Sequence, residues 1–106
     1  MSLQKSDVID AIGTETESGS IVMSIIDSWG WDSPDDHLNA LQNKLNCYFD
    51  FVESGQIFES YPEAKGRNLR IDIVEKFAPP ESVEYFFERT VSVAAKLGIT
   101  IKRYIV

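Results

Sequence analysis

The residues with the clearest chemical potential lie in one short segment, from Trp29 to His37. The segment contains one histidine and three carboxylates, namely His37, Asp32, Asp35 and Asp36. Carboxylates beside an imidazole are the groups that proteins use for general acid–base catalysis and for binding metal ions. One interpretation is therefore a small enzyme or a metal or small-ligand binder, with Trp31 and Tyr61 as walls around Asp32, Asp36 and His37.

Helix initiation explains the same residues more simply. Ser33 offers a hydroxyl for the N-cap, Pro34 suits the first helical position, and the helix dipole favours carboxylates in the first turn. A metal site would need further ligands for His37 from elsewhere in the fold. We therefore predict no catalytic residue, no metal ion and no cofactor, and we keep the ligand site as the alternative.

The helix that begins here offers a second candidate surface. Its apolar stripe faces the core and consists of Leu38, Leu41, Leu45, Tyr48, Phe49 and Val52. Another side carries Ala40, Cys47 and Phe51, beside Lys44. Either residues 56–68 cover this side, or it is an exposed apolar patch that contacts a partner or a second copy.

A polar edge lies along the border of the buried face of the same helix. It consists of Gln42, Asn46 and Glu53. Amides and a carboxylate in this position bind polar groups of a partner, or they form a solvated flank that bonds nearby backbone.

Other reactive residues have structural explanations. Cys47 has no histidine in a nearby motif, so a nucleophile is not expected. The basic residues Lys65, Arg67 and Arg70 lack the glycine spacing of a phosphate loop. Glu75 and Arg103 are explained by a cross-strand ion pair.

These side chains are positioned by elements in the order β-β-α-β-α-β. Alternation and turn residues predict strands over 8–12, 21–29, 69–77 and 99–106, and helices over 34–54 and from Pro79 to Gly98. The first two strands form a hairpin, and the last two run parallel because a helix connects them. The expected register sets Ile71 opposite Ile99 and Glu75 opposite Arg103. The fold class is α+β, a two-layer sandwich in which a mixed four-stranded sheet carries two helices on one face.

Composition limits the classes of partner. The 106 residues fit a single domain, 1–106, in which residues 1–5 are expected to be disordered or derived from cloning. A net charge of −7 repels nucleic acid and anionic membrane but allows a cationic partner. The single Cys47 cannot form an internal disulfide, and no apolar stretch is long enough to span a membrane. We expect a cytoplasmic protein.

A run of residues resembles a known family. The run includes His37, Leu38, Leu41, Gln42, Lys44, Leu45, Asn46, Tyr48, Phe51, Glu53, Ser54, Gly55 and Gln56, followed by Tyr61, Pro62, Ala64 and Gly66. It is similar to a family of short uncharacterised bacterial proteins with a domain-of-unknown-function label, most strongly from Trp31 to Gly66. The resemblance implies a bacterial, cytoplasmic origin and assigns no reaction.

The leading hypothesis is a non-enzymatic interaction module, acting as a homodimer, an adaptor or an immunity-type inhibitor. Its surface is either the side of the first helix that carries Ala40, Lys44, Cys47 and Phe51, or the polar edge of Gln42, Asn46 and Glu53. The motivation is surplus apolar surface together with the lack of catalytic spacing.

Overall fold

The computed structural model describes residues 2–106 and confirms the α+β class. Within this range the strands are β1 (Ala11–Thr14), β2 (Ile21–Asp27), β3 (Leu69–Glu75) and β4 (Ile99–Ile105), and the helices are α1 (Pro34–Glu53), α2 (Gln56–Ser60) and α3 (Glu84–Lys96). The predicted element order is correct except for α2, which lies between the first helix and the third strand, where no element was predicted. No helix in residues 2–106 has both the length and the apolar character needed to cross a membrane.

The four strands form one mixed sheet in the order β1-β2-β3-β4. β1 pairs with β2 antiparallel, whereas β3 pairs in parallel with both β2 and β4. The predicted hairpin is therefore present, and its turn is closed by bonds from Glu15 N to Ser20 O and from Gly19 N to Glu15 O. Gly19 has a φ of 73°, a left-handed conformation that glycine adopts without steric cost.

The predicted register between β3 and β4 is wrong by two residues. Ile71 lies opposite Ile101, and Glu75 lies opposite Ile105. A shift of two keeps every side chain on its predicted face, so the hydrophobic pattern cannot distinguish the two alignments. The ion pair that motivated the other register still forms, because the Arg103 Nε donates to the Glu75 carboxylate across the diagonal at 3.1 Å.

Both long helices pack on the same face of the sheet. The two right-handed crossovers expected for parallel strands place α1 and α3 on one side. The core between the layers includes Ile21, Met23, Ile25, Ile71 and Ile73 from the sheet, and Leu41, Leu45, Tyr48, Phe86, Phe87 and Ala94 from the helices. On α3, Val91 is 49% exposed, whereas Thr90 is buried and donates its hydroxyl proton to Phe86 O.

The N-terminal segment is part of the fold. Leu3, within the range 1–5 that was expected to be disordered or derived from cloning, is only 3% exposed and belongs to the core. A short 3-10 turn covers Ser2–Gln4. Residues 5–10 then cross α1, and β1 starts at Ala11, three residues later than predicted.

The start of α1 differs in detail from the prediction. Ser33 occupies the N-cap position, but its side chain makes no capping hydrogen bond. Instead, the His37 amide donates to Ser33 O at 3.0 Å, which closes the first turn. The helix ends as expected at Glu53, before Gly55 at a φ of 83°.

Candidate functional site

The Trp29–His37 segment is organised around a buried contact between a histidine and a carboxyl group. His37 is 1% exposed, and its Nε2 lies 2.6 Å from Oδ2 of Asp27, which is 1% exposed at the side chain. Asp27 is the last residue of β2 and points to the same face as Ile25. Asp27 was not among the residues predicted for this site. The sequence does contain one indication of its role: Asp27 lies on the same face of the strand as the buried residues, and a buried carboxylate needs a partner because an unpaired charge there is costly.

The two contacts of His37 determine how many protons the pair holds. The Nδ1 lies 2.9 Å from the carbonyl oxygen of Gly30, which can only accept, so Nδ1 carries a proton. The 2.6 Å contact to Asp27 needs a second proton between the two groups. The pair is therefore either an imidazolium beside a carboxylate or a neutral imidazole beside a carboxylic acid. The other oxygen of Asp27 accepts from the Trp29 amide at 3.1 Å.

Two tryptophans enclose the imidazole. The Trp31 ring stacks on His37 with centroids 3.6 Å apart and planes at 16°, and the Trp29 ring lies at 5.7 Å. The Trp31 indole donates to Phe77 O at 3.3 Å. Both ring nitrogens are bonded inside the protein and the ring is covered. The bond to Asp27 connects the end of β2 to the start of α1, so the role of His37 here is structural.

A second buried carboxylate lies beside this pair. Glu75 is opposite Asp27 in the β2–β3 register, and burial raises the pKa of its side chain while the bond from Arg103 opposes that effect. One of its oxygens accepts from Arg103, and the other has no partner among the described residues. The Arg103 guanidinium also stacks over the Phe87 ring at 3.7 Å and donates to Glu84 at 2.9 Å.

The predicted ligand site is brought together only in part. Asp32 and Asp36 are exposed, and they line a shallow depression of about 370 Å³ together with Trp29, Ser33 and His37. No group of three or more histidine, cysteine or acidic side chains in residues 2–106 is arranged to hold a metal ion. The depression thus presents two solvated carboxylates above an enclosed imidazole.

Tyr61 does not wall this site, contrary to the prediction. Its hydroxyl is 2.9 Å from the Thr14 hydroxyl, and Thr14 lies opposite Ile21, the first residue of β2. Asp27 is the last residue of the same strand, so Tyr61 lies at the other end of the sheet, roughly 20 Å away at about 3.3 Å per residue. The chain reaches that end because α2 and the 3-10 turn at Pro62–Ala64 lead to the start of β3.

The basic residues after α2 do not form an anion site. Arg70 donates to both oxygens of Glu15, at 3.1 and 2.9 Å, and its Nε donates to Asp72 at 2.7 Å. Hydrogen bonds from Arg70 and Ser18 lower the pKa of Glu15 to about 2. Arg67 donates to Gly19 O at 3.0 Å. These cations are engaged within the chain on the sheet face opposite the helices and at the hairpin turn.

Lys44, which was predicted for an interface, is fully buried and does not present its side chain to solvent. Its ammonium donates to Lys5 O at 2.7 Å, to Val8 O at 2.6 Å and to the Asp10 carboxylate at 2.8 Å. The hydroxyl of Tyr48, one turn further along α1, accepts from the Asp10 amide at 2.8 Å and donates to a β2 carbonyl. These bonds fasten the N-terminal segment across α1. This segment, and not residues 56–68, partly covers the side of α1 that carries Cys47 and Phe51.

A groove of about 700 Å³ lies between the fastened segment and α1. Its lining includes the half-buried apolar side chains Ile9, Cys47 and Phe51, the carboxylates Asp7 and Asp50, and the amides Asn43, Asn46 and Gln56. Cys47 and Phe51 were predicted for an exposed patch, and Asn46 for the polar edge. The groove therefore combines parts of both predicted surfaces.

The other residues of α1 that were predicted for these two surfaces do not line the groove. Ala40 is half-buried on α1, two turns before Cys47, and does not line it. Gln42 donates to Asn46 at 2.9 Å and faces a smaller cavity of about 220 Å³ between α1 and α3. Glu53 is exposed at the end of the helix.

The thiol in the groove is not activated. Burial raises the pKa of Cys47; Lys44 opposes this effect, while Asp7, Asp50 and Asp10 raise the pKa further. Because only the thiolate is a strong nucleophile, Cys47 behaves as a small apolar side chain. Three carboxylates and a single ammonium group act on the thiol, so the nearby charges do not favour the thiolate.

The sequence matches a known protein family. A family model described as a family of unknown function (DUF6572) matches residues 1–106, and the chain therefore belongs to this family. The resemblance to a domain-of-unknown-function family is thus confirmed, with a match that extends over the whole range. No curated protein and no solved structure matches the chain.

Proposed function

We propose that this member of the DUF6572 family is a non-enzymatic protein-interaction module that binds a partner in the groove between the N-terminal segment and α1. The observation that carries the proposal is the apolar floor of that groove. Ile9, Cys47 and Phe51 are each only half-buried at the bottom of a concavity of about 700 Å³. A partner side chain placed there would remove the remaining apolar surface from water, at about 25 cal/mol per Å².

The groove is held in shape before any partner arrives. One wall is a continuous 20-residue helix. The other wall is fastened by three hydrogen bonds from the buried Lys44 ammonium. A preformed site loses less conformational entropy on binding, so more of its contact energy contributes to affinity.

We favour the groove over the depression at His37 as the functional site. Both ring nitrogens of His37 are bonded to Asp27 and Gly30, so the imidazole presents no free donor or acceptor to a ligand. The exposed side chains there are mainly carboxylates at a helix start, where the helix dipole accounts for them. The groove offers apolar surface and concavity together, the combination typical of binding sites.

We further propose a partner other than a second copy, and a cytoplasmic location. Each copy carries a net charge of −7, so two acidic grooves facing one another would repel. The unpaired Cys47 suits a reducing compartment.

The test is affinity capture from the source cells with four baits: the natural chain, Phe51→Asp, Asn43→Trp and Val91→Asp. Phe51→Asp places a charge on the apolar floor, and Asn43→Trp blocks the groove from an exposed position that does not threaten folding. Val91→Asp is the matched control, because Val91 is 49% exposed on α3. Urea unfolding establishes that each bait is folded.

The proposal predicts a protein that the natural chain and Val91→Asp retain and that both groove variants lose. Calorimetry with that purified protein should then show direct binding. Partners retained equally by all four folded baits would contradict the proposal, as would light scattering that shows a dimer broken only by Val91→Asp.

A further inference from the structure

Resting on the proposed function, we infer that the groove binds a cationic peptide segment of the partner, in which lysine or arginine flanks an apolar side chain. The charges on this side of the protein favour a cationic partner, whereas the apolar floor alone would accept a partner of any charge.

The outward-facing charge of α1 is entirely negative. Its acidic residues Asp35, Asp36, Asp50 and Glu53 are all exposed. Its lysine, Lys44, is 0% exposed and bonded to Asp10, and its histidine, His37, is enclosed. The Lys44 ammonium therefore does not neutralise the exposed carboxylates of α1, because it is buried and bonded to the N-terminal segment.

The exposed carboxylates at the groove differ from the buried and half-buried carboxylates of the fold. Asp10, Asp72 and Glu75 each lie within an ion pair, and Asp27 is bonded to His37. Asp7 and Asp50, on opposite walls of the groove, form neither an ion pair nor a side-chain hydrogen bond with the described residues. The described lining contains no lysine or arginine; its other polar side chains are neutral amides and hydroxyls. A cation in the groove would therefore meet two unpaired carboxylates.

The apolar floor favours a cation that belongs to a peptide, because apolar side chains of the same peptide can cover the floor. A volume of about 700 Å³ lies within the range of sites that enclose a drug-sized ligand, which is room for a few side chains. Nucleic acid and a second acidic copy carry the wrong charge. A basic peptide segment with an apolar anchor satisfies both the floor and the rim.

The test begins with a displayed library of random 12-residue peptides. The library is selected on the natural chain and counter-selected on Phe51→Asp and on Asn43→Trp, which keeps Phe51 and so does not depend on the folding of the first variant. We expect the enriched peptides to carry a net positive charge and at least one large apolar residue. Enrichment of neutral or acidic peptides that still depend on the groove would overturn this inference while leaving the proposed function in place. Failure to obtain any groove-dependent peptide would count against both.

The strongest selected peptide is then measured by fluorescence anisotropy. Asp7→Asn and Asp50→Asn should each weaken its affinity about three-fold, the effect of an exposed ion pair, and an increase in salt should weaken it further. Glu88→Gln on α3 is the control, because it changes the net charge equally from an exposed position outside the groove. Equal losses in all three variants would show that only net charge matters and would overturn the assignment to the groove.

Discussion

Replacing either member of the buried pair Asp27–His37 should have very different consequences. In Asp27→Asn the amide can occupy the position of the carboxylate and keep its bonds. Its Oδ1 still accepts from the Trp29 amide, and its Nδ2 donates to His37 Nε2, while Nδ1–H continues to donate to Gly30 O. In His37→Phe the carboxylate of Asp27 stays buried and loses its partner.

The magnitudes follow from the burial of the two side chains, each 1% exposed. With the shared proton on the imidazole, removing His37 leaves the Asp27 carboxylate as an uncompensated buried charge, which costs about 3–5 kcal/mol. Asp27→Asn exchanges a charge-assisted hydrogen bond for a neutral one, which costs about 1 kcal/mol. We therefore expect the two variants to differ by at least about 2 kcal/mol in the free energy of unfolding.

Urea unfolding followed by tryptophan fluorescence measures this difference, since Trp29 and Trp31 lie against His37. For a slope of about 2 kcal/mol per molar, His37→Phe should lower the midpoint by about 2 M and Asp27→Asn by about 0.5 M. Nitrogen NMR of the imidazole should show the proton on Nδ1 in Asp27→Asn. Equal destabilisation by both substitutions, or a proton on Nε2 in Asp27→Asn, would refute the proposed hydrogen-bond arrangement.

Three further substitutions test the contacts around the core. Lys44→Met should lower the free energy of unfolding by about 3 kcal/mol, because Asp10 loses its buried partner, and should speed amide exchange over residues 5–10; unchanged exchange would contradict the fastening role. Tyr48→Phe removes two hydrogen bonds and should cost about 1–3 kcal/mol in the same unfolding assay; a cost near zero would show that the hydroxyl is not needed. The pKa of Glu15 is lowered to about 2 by its bond from Arg70, so its contribution to stability is present above its ordinary pKa of 4.5 and is lost as the pH falls from there towards 2. Acid titration of thermal stability should therefore be less steep in Glu15→Gln than in the natural chain, and identical slopes would argue against this ion pair in solution.

The elements of the fold could be predicted because their signals are local. The apolar stripe of α1 and the alternation in β3 indicate which face each element buries, and the helix between the last two strands requires them to run parallel. The register of β3 and β4 could not be predicted, since a shift of two residues leaves both faces unchanged. Predicting Glu75 directly opposite Arg103 failed because arginine is long enough to reach a carboxylate across the diagonal.

The site was less accessible from sequence because its contacts join distant residues. Asp27 and His37 meet only after the chain has turned between β2 and α1, and no local motif marks the pair. Lys44 was assigned to an interface because it lies beside Ala40, Cys47 and Phe51 on the first helix, although lysine can be fully buried where its charge is paired. Its acceptors are two backbone carbonyls and Asp10, all in a segment 34 or more residues earlier. A pattern of residue types contains no information about such carbonyls.

Mapping a bound peptide by NMR tests the central claim most directly. The amide resonances of the natural chain are recorded during titration with the strongest cationic peptide from the library. Binding in the groove predicts shift changes concentrated in residues 6–9 and 43–56, with small changes elsewhere. Changes centred on residues 29–37 or on β4, with the groove unaffected, would contradict the account.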